Sequence, residues 1–416
     1  MKTLVLGAGV IGLSAAYYLR ADGHDVTVVD RNHGVGLATS YANGGQLSYS
    51  YVAPLAGPGV LPKLPPWLLR SDAPMRFSPD LDIEQWRWCI EFVMACTQHR
   101  SDLTTRRLLA LSFLSRRLME ELRRSQPDLQ FDFKPAGKLV LHRDPASFAG
   151  ARRLLDYQRS LGCEQEALDT DACVALEPAL AHAAGGIAGG IYTRSEDSAD
   201  CYQFCVGLES ILRKQGVRFL LNTAVDRIVS VQGGNVQVIS GGGVLDADHI
   251  VVALGASSPS LLKPLGIRLP IYPLKGYSLT VPVSGTGSAP SISVTDFQRK
   301  VVYARLGDRL RIAGMADLTG RRLTVDPRRI DTLKAEARAV FPGAGDYDAA
   351  TVWAGQRPAT PSGNPILGRT RYRNLWLNVG QGGLGFTLAL ASGHTVTNLL
   401  AGRAAAVPLD GFELQR

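Results

Sequence analysis

The sequence is poor in cysteine, and it lacks both a CxxC pair and a long uninterrupted apolar run. Six cysteines in 416 residues do not form the framework of a small secreted domain, so we predict reduced thiols and a cytoplasmic protein. Cys201 and Cys205 have helical spacing, and His182 lies upstream. This pattern leaves a metal site open, but two packed thiols are the favoured interpretation, and we predict no metal. Without a run of about 18 apolar residues, no membrane-spanning helix is predicted.

No basic run is interleaved with aromatic residues, although the formal net charge is +8 at pH 7. Nucleic-acid binding is therefore not predicted. Scattered basic residues are typical of a solvated surface, and they leave a peripheral contact with the cytoplasmic face of an inner membrane open. The apolar stretch from Lys2 to Leu19 has the composition of a secretion signal. Three glycines interrupt it, however, which favours a segment of the fold.

The first thirty residues contain the strongest functional pattern. Residues 3–6 are typical of a buried parallel strand, and a G-x-G-x-x-G turn follows at 7–12. Apolar spacing predicts a helix over 10–21, and residues 25–29 predict a second strand that ends at Asp30. This order of elements is the context that a dinucleotide-binding unit requires. The alternative is a glycine turn in an unrelated α/β unit.

Each residue type in this turn has a physical reason. Gly7 permits a tight turn, Gly9 lets the backbone approach a pyrophosphate, and Gly12 lets the helix pack closely on the strand. The helix N-terminus offers free N–H groups to the phosphates. Asp30 is predicted to accept hydrogen bonds from ribose hydroxyls. The predicted cofactor contacts of this unit are Gly7, Gly9, Val10, Ile11, Gly12, Asp30 and Arg31.

The segment 38–47 favours FAD over NAD as the dinucleotide. The hydroxyls of Thr39 and Ser40 suit phosphate or ribitol oxygens, and the glycines of 43–45 let the backbone approach a flat ring. A later region, 217–255, adds apolar strands and hairpins. The cofactor contacts predicted in these two regions are Thr39, Ser40, Asn43, Gly44, Gly45, Gln46, Leu47, Val225 and Gly255.

A second glycine turn lies near the C-terminal end. Residues 375–379 predict a strand, and a glycine-rich turn then leads into a predicted helix over 387–401. The N-terminus of such a helix stabilises negative charge on a reduced flavin. The predicted contacts are Gly380, Gly382, Gly383, Leu384, Gly385 and Thr387. Because the three elements are spread along the chain, we predict a discontinuous cofactor domain.

Two further motifs, YPLKGYS at 272–278 and GQRPATPSGNPILG at 355–368, are more specific than the first glycine turn. With them the chain resembles, over nearly its full length, the small subunit of bacterial D-amino-acid dehydrogenases. These belong to the superfamily of glycine oxidase and D-amino-acid oxidase. The resemblance implies oxidative deamination of D-amino acids to 2-oxo acids and ammonia, with electrons passed to a quinone or another acceptor rather than to oxygen. By position, Arg357 matches the arginine that grips the substrate carboxylate, whereas Gln381 stands where relatives often carry histidine.

Several side chains are candidates for the substrate space. Arg357 stands before a proline, which favours a fixed extended backbone, and its guanidinium suits a carboxylate through two hydrogen bonds, although a structural ion pair is the alternative. Tyr303 and Arg305 alternate on one predicted strand and either line this space or face away. Lys275 and Tyr277 alternate in the same manner. The candidate catalytic residues are Arg357, Tyr303, Tyr277 and Tyr51. We predict no dedicated base, because hydride transfer from a neutral amine needs alignment and an electron sink.

The stretch 49–79 is rich in proline and glycine and also apolar, with Trp67, Leu68 and Leu69 adjacent. It predicts an active-site lid, a docking face for a membrane, quinone or partner, or a loop that packs back on the body. Residues 101–126 predict an amphipathic helix with a basic face, for which solvation is favoured over membrane contact.

The predicted fold class is α/β, with a Rossmann-like FAD-binding domain and a second, largely antiparallel-sheet substrate domain. The predicted domains are an FAD-binding unit at 1–80, 148–265 and 353–416, and a substrate unit at 81–147 and 266–352. A rival hypothesis for the function is oxidation of D-proline, D-hydroxyproline, sarcosine or glycine, including by an oxidase. Two further hypotheses are a flavin-binding subunit without catalysis and an NAD-dependent dehydrogenase.

Overall fold

The computed structural model describes residues 1–63, 73–285 and 287–414. The helices of these residues are, in chain order, α1 (Val10–Ala21), α2 (Ile83–Ala95), α3 (Gln98–Ser125), α4 (Pro145–Arg153), α5 (Leu155–Ser160), α6 (Thr170–Leu176), α7 (Cys201–Lys214), α8 (Ser258–Leu262), α9 (Pro327–Val340) and α10 (Gly385–Leu400). The strands are β1 (Lys2–Leu6), β2 (Asp25–Val29), β3 (Gln46–Leu47), β4 (Met75–Phe77), β5 (Lys138–His142), β6 (Gln165–Leu168), β7 (Gly189–Thr193), β8 (Asp197–Ser198), β9 (Arg218–Leu220), β10 (Arg227–Val231), β11 (Asn235–Ser240), β12 (Gly243–Leu245), β13 (His249–Val252), β14 (Tyr272–Pro282), β15 (Ser293–Asp296), β16 (Val301–Leu306), β17 (Arg309–Leu318), β18 (Thr351–Ala359), β19 (Ile366–Arg369) and β20 (Leu375–Val379).

A six-stranded sheet carries the first glycine turn. Its strand order is β19-β20-β13-β1-β2-β9, and its neighbouring strands are parallel except for β19 with β20. Because β1, β2, β13 and β20 run in the same direction, their carboxyl ends meet at one edge of the sheet. Ligands of open α/β sheets bind beyond this edge. The strands predicted at 3–6, 25–29 and 375–379 and the helix predicted over 10–21 are confirmed.

Helices α1, α3, α7 and α10 form the main core on this sheet. The two glycine-led helices, α1 and α10, cross closely, because a Cβ at Gly393 would lie 2.7 Å from the carbonyl carbon of Ser14. The leucines of α3 from Leu108 to Leu122 are buried, as their helical spacing indicates, and α3 packs against α10. Cys201 and Cys205 are buried in the same core, so their packing as thiols is confirmed. Within the described part of the chain, no three His, Cys, Asp or Glu side chains could hold a metal ion.

A nine-stranded sheet forms the second layer. Its order is β18-β14-β17-β16-β15-β5-β7-β6, and β4 pairs with β17 beside this path. The pairs β15–β5 and β17–β4 are parallel, and the others are antiparallel. Helix α9 packs on β14 and β17. The predicted α/β class with a second, largely antiparallel sheet is confirmed.

The sheet pairings correct the predicted boundaries of the two units. Strands β6 and β7 lie within the span 148–265 of the predicted cofactor unit, yet both belong to the nine-stranded sheet. Strands β4 and β18 also pair there rather than with the parallel sheet. Helix α3, which falls in the predicted substrate unit, packs in the core around α10. The chain passes between the two layers more often than composition shifts reveal.

Residues 49–56 pack back on the body of the protein. Tyr49, Val52 and Ala56 are buried, and Tyr51 and Pro54 face a large cavity. Trp67, Leu68 and Leu69 lie outside the described residues. None of the helices in the described ranges combines the length and the apolar composition needed to cross a bilayer.

Candidate active site

A cavity of about 950 Å³ lies between the two sheets. One side is formed by the turn after β1, the end of β2 and the residues that follow β13. The other side is formed by β14, β17 and β18. The segment 38–56 and the turn before α10 complete the wall. The cavity therefore joins both glycine turns to the second sheet.

The glycines of the first turn shape the cavity wall without occupying it. Gly7 has φ +110°, and a Cβ there would lie 2.5 Å from the carbonyl oxygen of Ala253. A Cβ at Gly12 would lie 1.8 Å from the carbonyl oxygen of Gly7, so Gly12 sits behind the wall and its role is close packing of α1. Gly9 lines the cavity beside Ser40, whose Oγ accepts the Val10 N–H at 3.1 Å. The helix N-terminus of α1 is thus open to the cavity.

Asp30 is held in place at the end of β2. Its carboxylate accepts the backbone N–H of Ala8 at 2.7 Å, and that of Asn32 at 2.8 Å together with Asn32 Nδ2 at 2.9 Å. A carboxylate has about four acceptor positions, so Asp30 keeps about one for a hydroxyl donor from the cavity. Arg31 and Val225 line the same end.

The segment 38–47 crosses from the first sheet to the second. Thr39 donates to the carbonyl of Gln356 at 2.7 Å, and Arg311 donates to the carbonyl of Asn43 at 2.8 Å. The residues of this segment that line the cavity include Thr39, Ser40, Asn43, Gly44, Gly45 and Gln46. Leu47 does not: it is fully buried in the core around α1, so its predicted cofactor contact is wrong. The pleat of β3 turns successive side chains to opposite faces, which directs Leu47 away from the cavity.

The second glycine turn ends at the N-terminus of α10, which has no side-chain cap. Gly382, Gly383, Leu384, Gly385 and Thr387 line the cavity, as does Gly255, which follows the neighbouring strand β13 at the same edge of the sheet. Gly380 does not reach it. Its φ of +83° and its position under the methyl group of Thr360 give it a structural role in the turn, which corrects the predicted contact.

Gln381 is buried and donates through Nε2 to Asn378 Oδ1 at 2.7 Å. Asn378 also lines the cavity, and its Nδ2 is buried with no hydrogen-bond partner. A buried amide without a partner is costly unless a ligand accepts from it. Open glycine turns, the N-termini of two helices and this unpartnered donor fit a dinucleotide coenzyme.

Arg357 is the cationic side chain that β18 presents to the cavity. Its Nη1 donates to the carbonyl of Met315 at 2.7 Å, and Met315 itself has φ +65°. The guanidinium lies over Gly276, where a Cβ would be 2.5 Å from its carbon. Burial lowers the pKa of Arg357 and the charge of Asp317 raises it, but arginine remains a cation at neutral pH. The remaining N–H groups are available for a carboxylate.

Tyr277 lines the cavity, but its hydroxyl is already bound within the protein. The hydroxyl donates to Asp317 Oδ2 at 3.1 Å, and the fully buried Asp317 also pairs with Arg329 at 2.6 Å and Arg76 at 3.0 Å. Burial and Asp317 raise the pKa of Tyr277. Tyr277 therefore forms part of the cavity wall and does not serve as a proton donor. Lys275 lies outside the cavity lining and donates to the carbonyl of Thr324.

Tyr303 does not line the cavity, so its predicted role in the substrate space is wrong. It is fully buried in the core of the second sheet, where its ring packs edge-on against Phe341 and its hydroxyl donates to the carbonyl of Glu336. Arg305 also lies elsewhere and donates to the carbonyl of Gly307. Alternation along β16 indicates that Tyr303 and Arg305 share one face of the strand, but it does not show whether this face meets the cavity. Tyr51 does line the cavity, as predicted.

One cavity residue, Lys138, was not anticipated from the sequence. It begins β5 in the run KLVLH, which the apolar pattern marks only as a buried strand. The detectable signal is the charge itself, because lysine is almost never fully buried unless paired.

Together, the parallel sheet, the two helix N-termini and the cationic second-sheet wall define an oxidoreductase that places a dinucleotide coenzyme beside a small anionic substrate. The chain belongs to the family of FAD-dependent oxidoreductases, whose family model matches residues 2–399, and its cofactor is FAD.

Similar proteins agree with this assignment. The chain is 52% identical to "D-amino acid dehydrogenase 2" of Ralstonia nicotianae, with 100% of both chains covered. It is 47% identical to "D-amino acid dehydrogenase 2" of Pseudomonas aeruginosa, over 99% of this chain and 97% of that one. Among solved structures, glycine oxidase from Geobacillus kaustophilus has the same fold, with a TM-score of 0.78, 21% identity and coverage of 100% and 98%.

Proposed function

We propose that the protein oxidatively deaminates D-amino acids to 2-oxo acids and ammonia and passes the electrons to an acceptor other than oxygen. The observation that carries this proposal is the position of Arg357, a half-buried cation with free N–H groups in the lining of a cavity of about 950 Å³. The names of the relatives favour D-amino acids over secondary amines such as D-proline or sarcosine.

Arg357 orients the substrate by binding its carboxylate. A guanidinium offers two parallel N–H groups that match the two carboxylate oxygens, so both the position and the direction of the carboxylate are fixed. The Met315 carbonyl holds one Nη and restricts the rotation of the side chain. Gly276 leaves the space that the guanidinium occupies. Orientation of this kind contributes about 7–11 kcal/mol to catalysis in favourable cases.

When bound, FAD would supply the electron sink for the hydride that leaves the α-carbon. Of the described residues near Arg357, Tyr277 is not free to act as a base because its hydroxyl is bound to Asp317. The carboxylates of the cavity lining, Asp30 and Asp226, belong to its other end. The substrate amine must therefore arrive neutral, which makes the reaction faster as pH rises. Selectivity for the D-enantiomer follows from the face of the α-carbon that meets the ring once Arg357 fixes the carboxylate.

Product analysis tests this function. The purified holoprotein is incubated with D-alanine or L-alanine and either a soluble quinone or oxygen as the acceptor. We expect pyruvate and ammonia in equal amounts from D-alanine with quinone, and little product with oxygen or with L-alanine. Hydrogen peroxide formation at the same rate as 2-oxo acid formation would instead identify an oxidase.

We also propose a peripheral contact with an anionic membrane, through the outward face of α2. Ile83, Trp86 and Ile90 follow one another at helical spacing and are 57%, 43% and 61% exposed. The acids of this helix, Glu84 and Glu91, are paired with Arg268, so they present little unbalanced negative charge to a lipid surface. Exposed apolar stripes of this kind mark docking sites for partners or membranes.

Cosedimentation with vesicles that contain an anionic phospholipid tests the contact. Replacing Trp86 and Ile90 with serine should reduce the pelleted fraction severalfold. Val244→Ser is the matched control, because this side chain is 53% exposed on β12, away from α2. Equal pelleting of all three proteins would remove α2 from the membrane contact.

A further inference from the structure

A lysine is buried in the wall of the catalytic cavity. Lys138, the first residue of β5, is 2% exposed and lines the cavity. Its register partners on the neighbouring strands, Thr193 and Ser293, are uncharged. A lysine in such a place has lost its hydration, and removing an ammonium from water is expensive unless other groups compensate. The site described above does not account for it.

The contacts of Lys138 lead to the N-terminus of α10. Its Nζ donates to Ser48 Oγ at 2.8 Å and lies 4.3 Å from the centre of the Tyr51 ring, a cation–π contact. The backbone N–H of Ser48 in turn donates to Thr387 Oγ1 at 3.0 Å, within the first turn of α10. Gly383, in the turn just before that helix, adjoins the side chain of Arg357. Lys138 therefore belongs to the Arg357 end of the cavity.

One carboxylate balances this lysine. Glu196 is fully buried, and its Oε1 accepts the backbone N–H of Ser50 at 2.6 Å. Burial lowers the pKa of Lys138 to about 8, and the charge of Glu196 opposes this lowering. Burial raises the pKa of Glu196, and the charge of Lys138 opposes that change. At neutral pH most Lys138 side chains are therefore cations, and they become neutral as the pH rises through about 8.

The charges on the cavity lining are unevenly distributed. Lys138 and Arg357 lie at the end near α10, where the uncapped helix N-terminus adds a partial positive charge. The lining carboxylates, Asp30 and Asp226, lie at the end formed by β2 and the residues after β9, together with the cation Arg31, and Lys300 is a further lining cation. Both carboxylates of the described lining are thus at the end away from α10. The end near α10 therefore favours negative charge on a bound group, and a reduced flavin carries such a charge.

We propose that Lys138 is an electrostatic residue of the flavin site, whose buried charge, held by Ser48 at the first turn of α10, favours the reduced, negatively charged state of bound FAD. Its charge raises the reduction potential of the coenzyme and thereby assists hydride acceptance. The proposal rests on FAD binding and deepens the function proposed above. It requires no contact between Lys138 and the substrate.

The test is the midpoint potential of the bound flavin, measured by equilibration with a reference dye at pH 7. Lys138→Met keeps the length of the side chain and removes its charge, so we expect a lower potential than in the wild type. Lys134→Met is the matched control, because Lys134 is an exposed lysine near the start of the same strand that donates to the carbonyl of Ser291. We expect this control to keep the wild-type potential.

The pH dependence separates a charge effect from a structural one. The difference in potential between the wild type and Lys138→Met should shrink as the pH rises through about 8, because the wild-type lysine then loses its proton. In Glu196→Gln the charge that raises the Lys138 pKa is absent, so Lys138 should lose its proton at a lower pH than in the wild type. The effect of Lys138 on the flavin potential should then disappear at that lower pH. A lysine with a purely structural role would give neither the decrease of this difference near pH 8 nor its displacement to a lower pH in Glu196→Gln.

A wild-type potential in Lys138→Met with FAD fully bound would overturn the proposal. If that variant does not fold because Glu196 is left unpaired, the double variant Lys138→Met, Glu196→Gln removes both charges together. It should show none of the pH dependence near 8, and retention of that dependence would equally overturn the proposal. The dye measurement uses no amino acid. An unchanged potential in Lys138→Met would therefore contradict the role of Lys138 independently of whether the protein oxidises D-amino acids.

Discussion

Replacing Arg357 with alanine should lower kcat/KM for D-alanine by about 100- to 10,000-fold while the protein keeps its full content of FAD. The variant loses two hydrogen bonds to a charged group, each worth roughly 1.5–3 kcal/mol, and about 1.4 kcal/mol corresponds to a factor of ten. We expect KM to rise steeply because the carboxylate loses its partner. We expect kcat to fall as well, because an unfixed carboxylate no longer directs the α-carbon.

Arg305→Ala is the matched control for this experiment. Arg305 lies on β16, outside the cavity lining, and donates to the carbonyl of Gly307. Its removal should leave both kinetic constants near their wild-type values. Normal D-alanine kinetics in Arg357→Ala, with FAD bound, would show that the carboxylate is held elsewhere.

Gly12→Ala should strip the protein of most of its FAD and lower its thermal unfolding temperature. The added Cβ would stand 1.8 Å from the carbonyl oxygen of Gly7, and this neighbour is backbone that cannot rotate away. Helix α1 must therefore move away from β1, at a cost of about 1–3 kcal/mol or more. Because the N-terminus of α1 lies beside the cavity, displacement of this helix should weaken FAD binding by about tenfold or more.

Gly186→Ala provides the control, since nothing lies within 4 Å of the Cβ that this change adds. It should keep the wild-type coenzyme content and unfolding temperature. If Gly12→Ala had the unfolding temperature and the FAD content of the wild type, the close packing of α1 on the first turn would not be needed for stability or for FAD binding.

The dinucleotide unit was predictable from the sequence because its constraints are local. Gly7, Gly9 and Gly12 lie within six residues, and the strand, turn, helix and Asp30 follow without interruption. The helix α1 and the strands β1 and β2 were accordingly placed to within a residue or two. Leu47 and Gly380 were wrong because a short motif does not reveal which of its residues face the ligand.

The second sheet was harder to derive, since its pairings join distant parts of the chain. Strand β5 pairs with β15, which lies more than a hundred and fifty residues later. No local pattern specifies such a partner. Tyr303 shows the same limitation on a smaller scale: alternation on β16 placed it on a face with Arg305, but α9 and Phe341 cover the Tyr303 ring. Lys138 was missed because the apolar run around it is typical of any buried strand.

The central claim is that Arg357 directs the α-carbon of a D-amino acid at bound FAD. Anaerobic mixing of the holoprotein with D-alanine or L-alanine, followed by the visible flavin absorbance, tests it most directly. We expect rapid loss of the yellow band with D-alanine and an unchanged spectrum with L-alanine. An unchanged band with L-alanine and with every member of a panel of D-amino acids would contradict this claim. Equal loss of the band with D-alanine and L-alanine would contradict it as well.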